Sequence, residues 1–529
     1  MKKKKSPDLI QPLADRHLDY LKDESRMSGK AESISFPESE AEVQAIVKTL
    51  LRRQTPITVQ GSRTGVTGGA VPVGGHIMSL SKMTRVTGLE LDQNGSFSIR
   101  VQPGISLAEL QEQLDSRRFD CEGWDDNALN ALRVFKKAEK QFWPPDPSER
   151  SASIGGIAAC NSRGICAHHY GAAGRYIKSI RVVDARGEAY SPGRRQYLFS
   201  DGICLLPGEN EIRIDPGIPR EESPVSLMDL YLGSEGMLGV ITELTLSLQS
   251  LPSELWGIVF FFEEQFRAVD FIQATAKRKK TESDTDIAAI EFMDQTSLET
   301  IREFKKENSR LRKLPEVDTR FASAVYMEIH GNNTEEVEAI SRWLLEAAVE
   351  HESDPDTTWA FCGEGEIEQL RLFRHAAAEA ANLFIDRARQ IDSRITKLGT
   401  DMCLKKEPLS EVLKMYRRDL KASGLKASVF GHAADGHFHV NILPRNYQQF
   451  EEGRRLIEDW AKKISARGGS VVTEHGVGKI KKHLFPSNRL PNYLKLICSI
   501  KKQLDPKGLW NPGNMINSYE PAHSNGNQA

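Results

Sequence analysis

Between Gly61 and Gly75 the chain places six of its 40 glycines, Gly61, Gly65, Gly68, Gly69, Gly74 and Gly75, where an even spread would put roughly one. Backbone that approaches an anion closely, with several N–H groups turned the same way, needs residues without a Cβ. Ser62 and Thr64 add hydroxyl donors to such a nest. Residues 57–59 before the segment and 77–80 after it read as short buried strands. The segment is therefore a phosphate-cradling loop or a tight connection between two strands. It lacks the GxGxxG form of a dinucleotide fold, and GxxxxGK[ST] occurs nowhere, so NAD and ATP lose their usual sequence support.

Two further clusters of small residues follow. Residues 143–164, WPPDPSERSASIGGIAACNSRG, combine rigid prolines with Ser151, Ser153, Gly155, Gly156 and Asn161. Residues 233–243, GSEGMLGVITE, add three glycines before a strand. Around them, residues 39–51 show helical spacing with Ser39 and Glu42 in capping-box form. Residues 180–184 fit a buried strand and 240–248 a half-buried one. After Pro252, helical stretches at 334–349, 366–389 and 409–421 mix with strands at 324–329 and around Val429. A length of 529 residues supports two domains.

Lys+Arg is 71 and Asp+Glu is 73, which gives no sequence-wide reason to expect a nucleic-acid partner. No apolar run is long enough to cross a bilayer. The basic opening MKKKK is not followed by an apolar stretch, so a cytoplasmic location is expected. Seven scattered cysteines without a CxxC pair disfavour a disulfide framework or a cysteine-bound metal. The polar tail 518–529 reads as disordered and the charged stretch 277–286 as a solvated loop.

Four of 13 histidines, His432, His437, His439 and His475, fall between positions 432 and 475, where even spacing would put about one. If residues 436–443 form a strand, His437, His439 and Asn441 share one face, and Phe438, Val440 and Ile442 the other. A solvated face more often carries Lys, Glu or Thr. Imidazoles with a carboxylate such as Glu474 suit a divalent transition metal with open positions. Packed structural histidines are the alternative.

In this order and spacing, the glycine segments resemble the flavin domain of the vanillyl-alcohol oxidase and p-cresol methylhydroxylase superfamily. GHAADGHFHVN (431–441), TEHGVGK (473–479) and LDPKGLWNPGNMI (504–516) resemble its FAD-linked D-2-hydroxyacid dehydrogenase branch, which includes D-lactate, glycolate and D-2-hydroxyglutarate dehydrogenases. The likeness covers residues 36–516. It implies an α+β chain: an N-terminal helical extension (1–32), a p-cresol methylhydroxylase-type FAD-binding domain (33–250), and an FAD-linked oxidase C-terminal substrate domain (251–517). The substrate domain would carry a ferredoxin-like sheet and a segment returning to the flavin.

The resemblance also assigns residues. FAD would be met by Gly61, Ser62, Arg63, Thr64, Gly65, Gly68 and Gly69 in the first segment. The second would give Pro145, Asp146, Ser153, Ile154, Gly155, Gly156, Asn161 and Gly164. The third would give Glu235, Gly236, Gly239, Val240 and Ile241, and the return segment Asn511. His432, His439 and Glu474 would hold zinc or manganese. His475 would be the general base, Asn441 would help hold the substrate, and Arg374 with Lys397 would grip its carboxylate. Arg374 also reads as a surface residue of a charged helix.

The expected reaction is oxidation of a small D-2-hydroxy acid by hydride transfer to flavin N5. Electrons would leave to a quinone, an electron-transfer flavoprotein, a cytochrome or oxygen. A homodimer stays open, as does a peripheral membrane contact through basic residues 1–5. Two other readings belong to the same fold. One is a non-redox transferase similar to alkylglycerone-phosphate synthase, which has a histidine in the position of Glu474. The other is a flavin-binding subunit of a multi-subunit glycolate oxidase. The chain departs from the branch at Ala434 and His437, where glycine and asparagine are usual, and at Ser62 and Arg63, where glycine and asparagine are common. The glycine loop holds no histidine, which favours noncovalent FAD; His76, His168 and His169 carry no support as attachment points.

Overall fold

The computed structural model describes residues 9–194, 196–199, 203–206, 211–213, 225–278, 285–485 and 492–516. The tail 518–529, the basic residues 1–5 and most of the stretch 277–286 lie outside them.

The N-terminal half is built on two sheets. The first has the order Gln11–Pro12, Ser33–Ser35, His76–Ser79, Ile57–Gln60. Ile57–Gln60 and His76–Ser79 run parallel, so the chain must cross between their opposite ends. The glycine segment makes that crossing. Helix Glu40–Arg52 precedes it, burying Val43, Ile46, Val47 and Leu50. Ser39 Oγ caps the helix by accepting from Glu42 N–H, but the Glu42 carboxylate accepts from Glu38 N–H, so the reciprocal half of the capping box is not made. The described part of the N-terminal extension holds a 3-10 helix, Asp15–Leu21, and before it the two-residue strand Gln11–Pro12, which pairs with Ser33–Ser35. A segment that contributes a strand to the first sheet is part of this half rather than an appendage.

The second sheet is antiparallel, in the order Val86–Leu91, Phe97–Val101, Gly239–Ser247, Ile177–Asp184, Ala189–Tyr190. Gly239–Ser247 lies at its centre and is buried at all but two of its positions, not half-buried as its alternation suggests.

In the C-terminal half an antiparallel sheet of eight strands runs in the order Trp359–Cys362, Glu254–Phe262, Ser323–Gly331, Asp286–Asp294, Ala427–Gly431, His437–Ile442, Leu398–Gly399, with Met402–Cys403 also pairing on His437–Ile442. Ser323–Gly331 is buried at every position. Helices Thr334–Glu350, Glu364–Ile391 and Leu409–Ser423 stand close to the expected bounds. The closing segment then returns to the first half. Ile57 N–H donates to Leu509 O and Asn511 N–H to Ile57 O, both at 2.7 Å, and the Trp510 indole donates to Ala185 O at 3.0 Å. The architecture is α+β throughout. Among the described residues no disulfide joins the cysteines, and no helix is long and apolar enough to cross a membrane.

Candidate active site

All three glycine-rich segments and the histidine strand line one cavity of about 680 Å³. Its walls include Gly61, Ser62, Arg63, Thr64, Gly65 and Gly69 from the first segment, and Ser153, Gly155, Gly156 and Gly164 from the second. Glu235, Gly236, Gly239, Val240, Ile241 and Asn511 complete this end. Gly61 and Gly155 are obligatory there: a Cβ on Gly61 would stand 2.1 Å from Ser153 Oγ, and one on Gly155 2.5 Å from Pro103 Cβ. Ser153 joins the two segments, since its Oγ accepts from Ser62 N–H and from Gly156 N–H, each at 3.3 Å. A glycine cradle facing the first turn of a helix fits the diphosphate of a dinucleotide such as FAD.

Five expected cofactor contacts are not in the lining. Ile154 is fully buried in the core. Asn161 ends the helix Ile154–Cys160 in the left-handed region, with its Oδ1 accepting from Gly174 N–H. A Cβ on Gly68 would point at Met27 and Lys479. Pro145 is buried, and the Asp146 backbone packs against Gly164. Pro147, Ser148 and Glu149 reach the cavity from that stretch, together with Ser162 and Arg163, which sequence reasoning missed although they adjoin Asn161. His76, His168 and His169 do not line the cavity; both nitrogens of His76 meet serine hydroxyls, Ser33 and Ser35, at 2.8 Å.

Glu235 ties the two halves together. Its carboxylate accepts from Val477 N–H and Gly478 N–H at 2.5 and 2.9 Å, and its carbonyl accepts from Asn511 Nδ2. Burial pushes its carboxyl up to about 7, against the pull of those donors.

At the other end of the cavity stand His432, His439, Asn441, Glu474, His475, Arg374 and Lys397. His437–Ile442 does alternate polar and apolar side chains, but both faces are buried. His432 Nε2 lies 3.3 Å from Glu474 Oε2, and His439 Nε2 lies 2.9 Å from Glu474 Oε1. His432 Nδ1 contacts Glu291 Oε1, and His439 Nδ1 stands 3.3 Å from the Thr400 carbonyl. Burial opposes a charge on His432, yet Glu291 and Glu474 outweigh it and push the imidazole up to about 10. Two carboxylates facing one buried imidazole make a place for a cation. Glu474 Oε2, although close to His432 Nε2, makes no aligned hydrogen bond, and buried oxygens of this kind want one. The donor set therefore fits a divalent ion.

The loop carrying Glu474 and His475 is placed by Asp401, which sequence reasoning also missed. Asp401 accepts from the backbone N–H groups of Thr473, Glu474 and His475 and lies 3.2 Å from Lys481 Nζ. Burial of His475 holds its imidazole down at about 3, so it is neutral near pH 7. Arg374 is not a surface residue: it is buried against Glu291. Lys397 is brought down to about 8 by burial, then by Lys481 and Arg26.

Residues 31–121 match the family described as FAD binding domain, and residues 264–515 match FAD linked oxidases, C-terminal domain. The chain belongs to the FAD-linked oxidoreductases of the vanillyl-alcohol oxidase and p-cresol methylhydroxylase family, and FAD is its cofactor. It is similar to D-lactate dehydrogenase of Anaerostipes hadrus, 26% identical over 94% of this chain and 92% of that one. It is also similar to D-2-hydroxyglutarate dehydrogenase of Stutzerimonas stutzeri, 23% identical over 96% of each. The fold is shared with 4-ethylphenol oxidase from Gulosibacter chungangensis, at a TM-score of 0.65 and 16% identity over 97% of this chain and 95% of that one.

Proposed function

We propose that the protein is a dehydrogenase that oxidises a small D-2-hydroxy acid to the 2-oxo acid, with FAD held noncovalently. One observation carries the reading: a single cavity runs from the glycine cradle to a buried histidine–carboxylate cluster, with Arg374, Lys397 and Asn441 in the same wall. When bound, FAD would supply the hydride acceptor, N5, for oxidation at C2 of the substrate. His475, neutral and in the cavity wall, takes the hydroxyl proton. Lys397 and Arg374 bind the carboxylate, and Asn441 orients the substrate. His432, His439 and Glu474 would hold zinc or manganese, which would polarise the hydroxyl oxygen. The missing nicotinamide fingerprint supports a quinone, an electron-transfer flavoprotein or a cytochrome as the acceptor.

The reading is tested by the visible spectrum of purified protein during anaerobic addition of D-lactate, glycolate and D-2-hydroxyglutarate in turn. Flavin bands that bleach with one acid support it and name the substrate. Flavin bands that bleach with none shift weight to a non-redox transferase on the same fold.

A further inference from the structure

The inference rests on the metal reading above and concerns a ligand that reading does not include. Among the described residues, the donor atoms of Asp401, His437, His439 and Glu474 all lie within 4.8 Å of one another, and all four residues are buried. His439 and Glu474 belong to the expected set, whose third member, His432, is not in this group and meets it through Glu474 Oε2, 3.3 Å from His432 Nε2; His437 and Asp401 are not in the expected set. His437 is 1% exposed and neither ring nitrogen has a hydrogen-bond partner. Its Nε2 is 3.1 Å from Asp401 Oδ1, without the alignment of a hydrogen bond. Beside it, Glu474 Oε2 has His432 Nε2 at 3.3 Å but no aligned hydrogen bond. An imidazole and a carboxylate oxygen left unpaired in a protein interior are costly. A cation between them removes both deficits.

The outer contacts of the three imidazoles sort their roles. A metal-bound histidine keeps its second nitrogen on a carboxylate or carbonyl. His432 has Glu291, His439 has the Thr400 carbonyl, and His437 has Asp401. Asp401 is already committed to three backbone N–H groups and Lys481, so it is suited to holding His437 rather than to binding an ion. We propose that His437 is a further ligand of the ion, giving a shell of His432, His437, His439 and Glu474, with Asp401 as the carboxylate that orients His437. Four protein donors fill a tetrahedron. They leave room for a chelating hydroxy carboxylate only in a six-coordinate ion, so the site suits manganese better than zinc.

The test uses flavin-containing protein loaded with manganese(II) alone. X-ray absorption at the metal edge counts bound imidazoles: three are expected in the native protein and two in His437→Asn. A competing chelator should strip His437→Asn at about tenfold lower concentration or less, while its flavin absorbance stays native. A native protein with only two imidazoles overturns the proposal, and that measurement needs no variant. Native retention of manganese in His437→Asn, with His439→Ala stripped, overturns the proposal alone. No manganese in native protein overturns the metal reading with it.

Discussion

Arg374 is bound to Glu291 through two of its nitrogens, Nε and Nη2, each 3.0 Å from Glu291 Oε2. The other oxygen of the same carboxylate faces His432 Nδ1. Glu291 thus couples the residue proposed to grip the substrate to one proposed to hold the metal. Arg374 enters the cavity with most of its charge already answered, and Nη1, 3.4 Å from Ser148 Oγ, is its least committed nitrogen.

Replacing Glu291 with Gln should therefore leave a buried guanidinium without its counter-charge and destabilise the protein by about 3 kcal/mol. Adding Arg374→Met should cost less than the sum of the single changes. Urea unfolding of the four proteins checks this, and strict additivity would show that the pair does not act as a unit.

Asp401→Asn should keep the fold and the flavin but loosen the loop that carries Glu474 and His475. A displacement of that loop on the order of 1 Å is expected to lower turnover about 100-fold. The check is kcat alongside the ratio of flavin to protein absorbance. Native kcat in this variant would mean that Glu235, through Val477 and Gly478, is sufficient to place the loop.

Much of this site was legible because its signals are local. Six glycines in one segment marked the cradle, and the alternation of His437, His439 and Asn441 marked a two-faced strand. Glycine density did not separate the roles of those glycines. Gly65 faces the open cavity, Gly68 has a φ of +75° beside Met27, and a Cβ on Gly75 would stand 2.3 Å from Pro56 O. Glu291 and Asp401 were not legible for another reason. Glu291 sits 141 residues before His432, in a strand that is otherwise apolar between its terminal residues Asp286 and Asp294. It reaches the site only because Phe292 pairs with Gly431 across the sheet. Asp401 acts through backbone groups of residues 473–475, and no residue type records that partnership.

The difference between two glycines gives a contrast. Gly61→Ala should yield mostly apoprotein, because the added methyl would press on Ser153 Oγ, which itself caps the facing helix. Gly65→Ala meets nothing within 4 Å and should fold with its cradle undistorted. Flavin content after gel filtration separates them. Equal flavin in the two variants would show that the Gly61–Ser153 contact is not needed.

Glu474→Ala and His439→Ala should each lose bound metal and turnover while retaining FAD, since neither residue belongs to the glycine cradle. Elemental analysis and the flavin spectrum of the same samples decide it. Full activity in a metal-free variant would remove the metal from the reaction.

Lys397 gives the pH dependence a sign. Burial, with Lys481 and Arg26 nearby, brings its ammonium down to about 8. Below that value Lys397 is cationic and can pair with a substrate carboxylate, which is ionised throughout the neutral and alkaline range. Above it the charge is lost, so kcat/KM should fall as pH rises through about 8. The fall should appear mainly in KM, because the lost interaction serves ground state and transition state alike. Lys397→Arg keeps its charge at every accessible pH and should abolish that alkaline limb, even if its longer side chain lowers the plateau. Pre-steady-state flavin reduction between pH 6.5 and 9.5 measures both proteins. An alkaline limb that survives in Lys397→Arg would assign the titration to another group and remove Lys397 from the carboxylate clamp.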